Sequence, residues 1–358
     1  MKKTKVFILT LLIFLSGCAP TTEIDKLMIV SGISVDYKDG IFDVTTQIIN
    51  MKNSDQTELS PINLKTNGNS IVESISKLHS IEGQKLYYTH AQLILVNAEY
   101  FRTEGSSHLI DLLNFEPRFR SSIKIAVTEG NASDVINTKP KTDPIPCFSI
   151  ADSISESSKM LLAANIPYYL FLNETLEEGV DGILPIVNTL AEDNDEKLPI
   201  IDGTALFKDA VMVSTLTPKQ TIYLMMVRDP QQKSIFSTSD YSFLIEKANS
   251  KLSYKDKQFY ITLEMDLSLL EGDQADNKYL TEIVAEDCKK GITEVISICK
   301  ECGSDPIGIG RHIKRYYTNV WENIYPQKWM DFYKNLTVNI EVKASIIPSY
   351  KLSGDKKQ

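Results

Sequence analysis

Phe259-Tyr-Ile-Thr-Leu-Glu-Met-Asp-Leu-Ser-Leu269 alternates apolar with mostly polar side chains. A period of two over this length predicts a half-buried β-strand. Leu336, Val338, Ile340, Val342, Ala344 and Ile346 repeat the pattern near the end of the chain. Between the two runs, the spacing of Leu280, Ile283, Ile292, Val295 and Ile296 predicts a long helix over about 279–302. Asp305-Pro306 then starts another helix. Amphipathic strands separated by long helices, with no regular strand–helix–strand rhythm, predict an α+β fold and argue against a doubly wound nucleotide-binding sheet.

Upstream of this unit the pattern is similar. Thr204–Phe207 and Val211–Ser214 flank Lys208-Asp209 as a hairpin, and Thr217-Pro218 opens a helix through Met226. In the first half, 27–36 and 41–50 read as strands joined across Tyr37-Lys38-Asp39-Gly40. Residues 51–69 read as a polar loop, and Ser70-Ile-Val-Glu73 is a capping box opening a helix. Strands follow at 92–96 and 122–127, with a helix through Leu109, Leu112 and Leu113 between them, and a helical stretch over about 149–171. The expected organisation is two to three mixed α+β domains with largely antiparallel sheets flanked by helices. An N-terminal region spans 27–195, with a split near the proline-rich 140–148, and a C-terminal domain spans 200–350. The charged run Ala191–Lys197 marks the boundary between halves.

The chain opens differently. Lys2, Lys3 and Lys5 precede the apolar run 6–15, and Leu15-Ser16-Gly17-Cys18 closes it. A run of this length falls short of the roughly 20 residues that span a bilayer and fits the hydrophobic region of a removable secretory signal. Small residues at 16 and 17 followed by cysteine form a bacterial lipoprotein cleavage pattern. The expectation is a signal peptide over 1–17, a diacylglyceryl group on the Cys18 thiol, and a tether over 18–26. One acyl chain holds a protein only marginally, whereas two or three suffice. Loss of the three signal lysines takes the net charge from −9 to −12. Such acidity argues against nucleic-acid or anionic-lipid binding as the main activity. No later stretch reaches 18 uninterrupted apolar residues.

Motifs for catalysis fail on context. Gly32-Ile-Ser34-Val-Asp36 lacks the final glycine of a nucleophile elbow and lies inside a strand. Ser74-x-x-Lys77 and Ser121-x-x-Lys124 have no accompanying Ser-Asp-Asn or Lys-Thr-Gly. Gly308-Ile-Gly310 lacks the third glycine of a dinucleotide loop and follows no strand. The four histidines, His79, His90, His108 and His312, are scattered, and His90 reads as a structural residue. No catalytic residue, cofactor site or metal site is expected. Cys288, Cys299 and Cys302 share one helical face, which suits packing; Cys299-x-x-Cys302 leaves a disulfide or half a zinc site open as alternatives. The aromatic sets Tyr168, Tyr169, Phe171 and Trp321, Tyr325, Trp329, Phe332, Tyr333 read as core, with a docking face as the alternative.

The order of motifs resembles the Ger(x)C family, the C-subunit lipoproteins of nutrient germinant receptors. The matching stretches are Leu15–Cys18, Glu23–Leu27, Val30–Asp36, Gly68–Ile71 and Leu86–Gln92 in the first half. Gly203–Lys208, Asp305–Gly310 and Trp329 with Phe332 follow in the second. The chain departs from the family in lacking a glycine just after Ile347. The resemblance implies a non-enzymatic subunit with a three-domain α+β fold on the outer face of the spore inner membrane. Its implied partners are the membrane, through Cys18, and integral-membrane A and B subunits. A solute-binding lipoprotein of a transporter is the alternative reading.

Overall fold

The computed structural model describes residues 27–49, 60–81, 85–116, 119–191, 196–231, 233–273, 275–324 and 328–347. The expected signal peptide, Cys18, the expected tether and Tyr325 lie outside the described residues.

The alternating stretch that opens the reading is strand β12 (Gln258–Glu271). Phe259, Ile261, Leu263, Met265 and Leu267 are each at most 2 % exposed. Each such side chain contributes roughly 1.5–3 kcal/mol relative to exposure. β12 pairs antiparallel with β11 (Ser242–Lys255), and β10 (Ile235–Ser237) extends the sheet beyond β11. Its other neighbour, β13 (Thr337–Ile346), runs parallel to it. A parallel pair needs a long crossover. Four helices supply it: α8 (Asn277–Cys302), α9 (Ile309–Tyr316), α10 (Thr318–Ile324) and α11 (Trp329–Asn335). Helix α8 buries Leu280, Val284, Cys288, Ile292, Val295, Ile296 and Cys299 in the same core.

The larger sheet has nine strands. β1 (Leu27–Lys38) and β2 (Ile41–Ile49) form the expected hairpin across Asp39-Gly40, and β3 (Pro61–Gly68) pairs with β2. Part of the stretch read as loop is therefore a strand; Pro61-Ile-Asn-Leu-Lys-Thr-Asn lacks the apolar content that marks a buried strand. Helix α1 (Ile71–Ile81) starts as expected: Ser70 Oγ accepts from the Glu73 amide at 3.0 Å, and Glu73 reaches back to the Asn69 amide at 2.9 Å.

The middle of this sheet corrects the expectation of no strand–helix–strand units. β4 (Lys85–Tyr87) and β5 (Leu93–Asn97) pair parallel with β1; β6 (Lys124–Thr128) is parallel to β5, and β7 (Ile183–Ala191) to β6. Helices α2 (Ala98–Thr103) and α3 (Ser107–Phe115) connect β5 to β6. Helices α4 (Ala132–Ile136), α5 (Pro146–Lys159) and α6 (Tyr168–Leu176) connect β6 to β7. The short strands and the prolines at 140, 144 and 146 hide this rhythm in the sequence. The larger sheet is antiparallel at its flanks, the smaller one is antiparallel except for β13, and the α+β class holds.

Strand alternation sorts the two faces. Ile33, Val35, Ile94, Val96, Ile125 and Val127 face the main core, while Leu93, Leu95 and Ala126 face a smaller core with Cys147, Ile150 and Ile154 of α5. The helical stretch expected over 149–171 is interrupted at 160–167, where Leu161 is left-handed and Pro167 precedes α6.

β8 (Lys197–Lys208) and β9 (Val211–Leu216) extend this same sheet, antiparallel to β7 and to each other. Ala191 pairs with Lys197, so the strands that flank the charged run are neighbours in one sheet. Charge-rich hairpin ends and linkers have the same composition. Helix α7 (Pro218–Arg228) carries a full capping box between Thr217 and Gln220.

Candidate functional site: the buried junction of the two halves

Two stretches that carry the family resemblance, Gly203–Lys208 and Asp305–Gly310, meet at one carboxylate. Asp181, 3 % exposed, lies between α6 and β7. Its Oδ1 accepts from the Asp209 amide at 3.1 Å and from Lys208 Nζ at 3.2 Å, at the end of β8. Its Oδ2 accepts from the Asp305 amide at 2.7 Å, and its own amide donates to the Asp305 carbonyl at 3.0 Å. Asp305 is fully buried. Its Oδ1 accepts from the amides of Gly308 and Ile309, both at 3.0 Å, and its Oδ2 from Gly310 at 2.8 Å. These are the amides that a helix start leaves without partners. Asp305 thus organises the start of α9 from four residues upstream.

A second ion pair backs the first. Arg228, at the end of α7, donates from Nη2 to both carboxylate oxygens of Glu174 at 2.5 Å, and from Nη1 to the Pro306 carbonyl. The two side chains are 8 % and 4 % exposed. Arg311 approaches Glu174 at 3.8 Å and Glu177 at 3.5 Å. Chain contact is closest at Gly179 and Gly310. The Arg311 amide donates to the Gly179 carbonyl at 2.5 Å. A Cβ on Gly179 would lie 2.5 Å from the Gly310 carbonyl carbon. Trp321 and Trp329, ring centroids 5.3 Å apart, close over the site, and Trp329 stacks on Tyr333. Most of the second aromatic set is core: Trp321, Trp329 and Tyr333 are buried. In the first set Phe171 is buried and Tyr169 is 49 % exposed.

Electrostatics follow from burial. Burial raises the Asp305 pKa to about 7 against its three amide donors, with the Asp181 charge adding to the rise. Burial lowers the Lys208 pKa, but the charges of Asp181 and Asp209 outweigh it and hold the ammonium above its ordinary value. An acid whose folded pKa lies above its unfolded one binds more protons folded than unfolded, so this group's contribution to stability falls as pH rises from about 4 to about 7. Asp305→Asn is expected to flatten the pH dependence of the urea midpoint over that range while lowering the midpoint overall. Parallel pH profiles for wild type and variant would refute the assignment.

Of the stretches read for catalytic motifs, Gly308–Gly310 lies in this junction, while Ser34 and Ser74 lie in other elements. Ser34 is fully buried in mid-strand. Ser74 Oγ donates to the carbonyls of Phe42 and Ser70, while Lys77 donates to the Asn67 carbonyl. Lys124 reaches Ser155, not Ser121. His312 packs against the rings of Phe259, Tyr316 and Tyr317, and burial, then Arg315, lowers its pKa. His90 is exposed beside the Tyr87 ring. Cys147, Cys288 and Cys299 are buried free thiols whose pKa values burial raises; Cys302 is half-buried and also free. Among the described residues no His, Cys, Asp and Glu cluster is arranged to hold a metal.

A polar crevice at the carboxyl ends of β1 and β5 is lined by Asp36, Tyr37, Lys38, Asn97, Glu99 and Ser133. Parallel sheets commonly place ligands at such strand ends. The Asp36 carboxylate is committed to the start of α4, accepting from the amides of Ala132 at 2.5 Å and Ser133 at 3.0 Å. Sequence reading missed Asp181, Glu174, Gly179 and Arg228. The one available signal was charge inside apolar surroundings, as in Met225-Met226-Val227-Arg228.

This polar network ties the two halves of an α+β fold together. The chain belongs to the Ger(x)C family of spore germination proteins. The model of the spore germination protein N-terminal domain matches residues 20–189, and that of the spore germination B3/GerAC-like C-terminal domain matches 202–349. The putative spore germination protein YfkR of Bacillus subtilis (strain 168) is 23 % identical, with 95 % of each chain covered. Spore germination protein KC of the same organism is 22 % identical, covering 95 % of this chain and 94 % of that one. Spore germination protein GerQC of Bacillus cereus is 20 % identical, covering 97 % and 99 %. The crystal structure of the GerBC protein superposes with a TM-score of 0.53 at 17 % identity, over 88 % of this chain and 97 % of that one, a likeness of fold.

Proposed function

We propose that this chain is the lipid-anchored, non-enzymatic C subunit of a nutrient germinant receptor. It is held at the outer face of the spore inner membrane through Cys18. There it supports assembly and signalling beside integral-membrane A and B subunits. The observation that carries this reading is the match of both halves to spore germination domains over nearly the whole chain. Two further facts support it. Among the described residues no helix is long and apolar enough to cross a membrane. The buried carboxylates are consumed by amides and cations rather than aimed at a cavity.

The parallel middle of the large sheet removes one argument against a solute-binding lipoprotein; family membership now weighs against that alternative. Cys18→Ala is expected to move the protein from the membrane to the soluble fraction and to slow germination with nutrients. The strain used must lack paralogous receptors. Unchanged membrane retention would overturn the anchor, and normal germination of the deletion strain would overturn the receptor role.

A further inference from the structure

One end of the large sheet is built to meet something apolar. β1 begins at Leu27, nine residues after Cys18. Nine residues reach at most about 30 Å when fully extended. β4 begins beside Leu27, and β5 and β6, which run parallel to β1 or to its neighbour, begin beside Gly32, five residue steps along β1. Residues 160–167 pass this end, carrying the chain from α5 on one face to α6 on the other. Lys124 bridges Pro167, and the amides of Tyr168 and Tyr169 donate to the carbonyls of Ile123 at 2.9 Å and Ser121 at 3.1 Å. The crossing buries Leu161, Ala163 and Ala164 but turns Met160, Leu162 and Tyr169 outward, at 36, 39 and 49 % exposure. Lys85 is exposed at the start of β4, and Arg120 is exposed four residues before β6.

We propose that this end of the sheet sits directly on the lipid bilayer. Met160, Leu162 and Tyr169 lie at the headgroup–acyl boundary, and Lys85 and Arg120 lie among the phosphates. The inference rests on lipidation at Cys18, since the tether's reach is what brings the bilayer to this end. Aromatic and long apolar side chains flanked by cations are the composition that partitions into this zone. The β1–β2 turn, six residue steps along β1 beyond Gly32, then stands roughly 20 Å further out at about 3.3 Å per residue.

The test uses the full lipidated chain in vesicles of phosphatidylcholine and phosphatidylglycerol, with and without brominated phosphatidylcholine. Trp321 and Trp329 are buried and give a constant background. Leu162→Trp is expected to show blue-shifted added emission that brominated lipid quenches. Ile41→Trp, at a position 43 % exposed on the far turn, is expected to stay unquenched. Both positions are exposed, so matching melting curves verify that the variants fold. Vesicle flotation with no quenching of L162W overturns the proposal; equal quenching of both variants also overturns it. Failure of wild type to float overturns the lipidation reading, and this inference with it.

Discussion

Arg228→Met is expected to destabilise the protein by about 3–5 kcal/mol, the range seen when one partner of a buried ion pair is removed. Methionine keeps most of the apolar stem and deletes the charge. Glu174, 4 % exposed, would retain only Arg311 at 3.8 Å. The Pro306 carbonyl would lose its donor, a further cost of about 1–3 kcal/mol for a buried acceptor. The measurement is the urea unfolding midpoint, read beside the double variant Glu174→Gln/Arg228→Met. Removing both charges leaves no uncompensated ion in the interior, so the double variant is expected to be the more stable of the two. A single-variant loss below about 1 kcal/mol, the scale of an exposed pair, would show that the junction is wet rather than buried.

Gly179→Ala is the second large effect, at about 2–5 kcal/mol. The backbone there has φ +82°, where a Cβ costs about 1–2 kcal/mol. The added methyl would also meet Gly310 and Arg311 backbone at 2.5 and 2.6 Å, and overpacking adds typically 1–3 kcal/mol. Gly310→Ala is expected to incur the packing cost alone, with its Cβ 2.7 Å from Gly179 Cα and the Trp329 ring. Gly130→Ala, with nothing within 4 Å, is the control and should leave the midpoint nearly unchanged. If Gly179→Ala behaved like Gly130→Ala, the two halves would not be in van der Waals contact there.

The features legible in the sequence were those encoded by neighbours along the chain. The alternation of β12, the apolar face of α8, the Asp39-Gly40 turn and the Thr217-Pro218 helix start are each set within a few residues, and each formed where expected. The parallel order of β1, β5, β6 and β7 was not legible. A five-residue apolar strand carries no mark of its neighbour's direction, and its crossovers are broken by loops and prolines. The junction was half legible. Asp305 and Lys208 stood out as motif residues, but Asp181, which joins them, lies 124 positions from Asp305. Its burial follows only from the assembled fold.

The hairpin of β7 and β8 has a consequence for inheritance. The N-terminal family model ends at residue 189 and the C-terminal one begins at 202, yet strands on both sides of that gap lie side by side in one sheet. A crossover between genes at the apparent seam would therefore graft two edge strands from one parent onto the open side of the other's sheet. Mismatched register would turn apolar side chains to the wrong face. The halves are thus expected to travel through evolution as a matched set, even where their sequences read as separable modules.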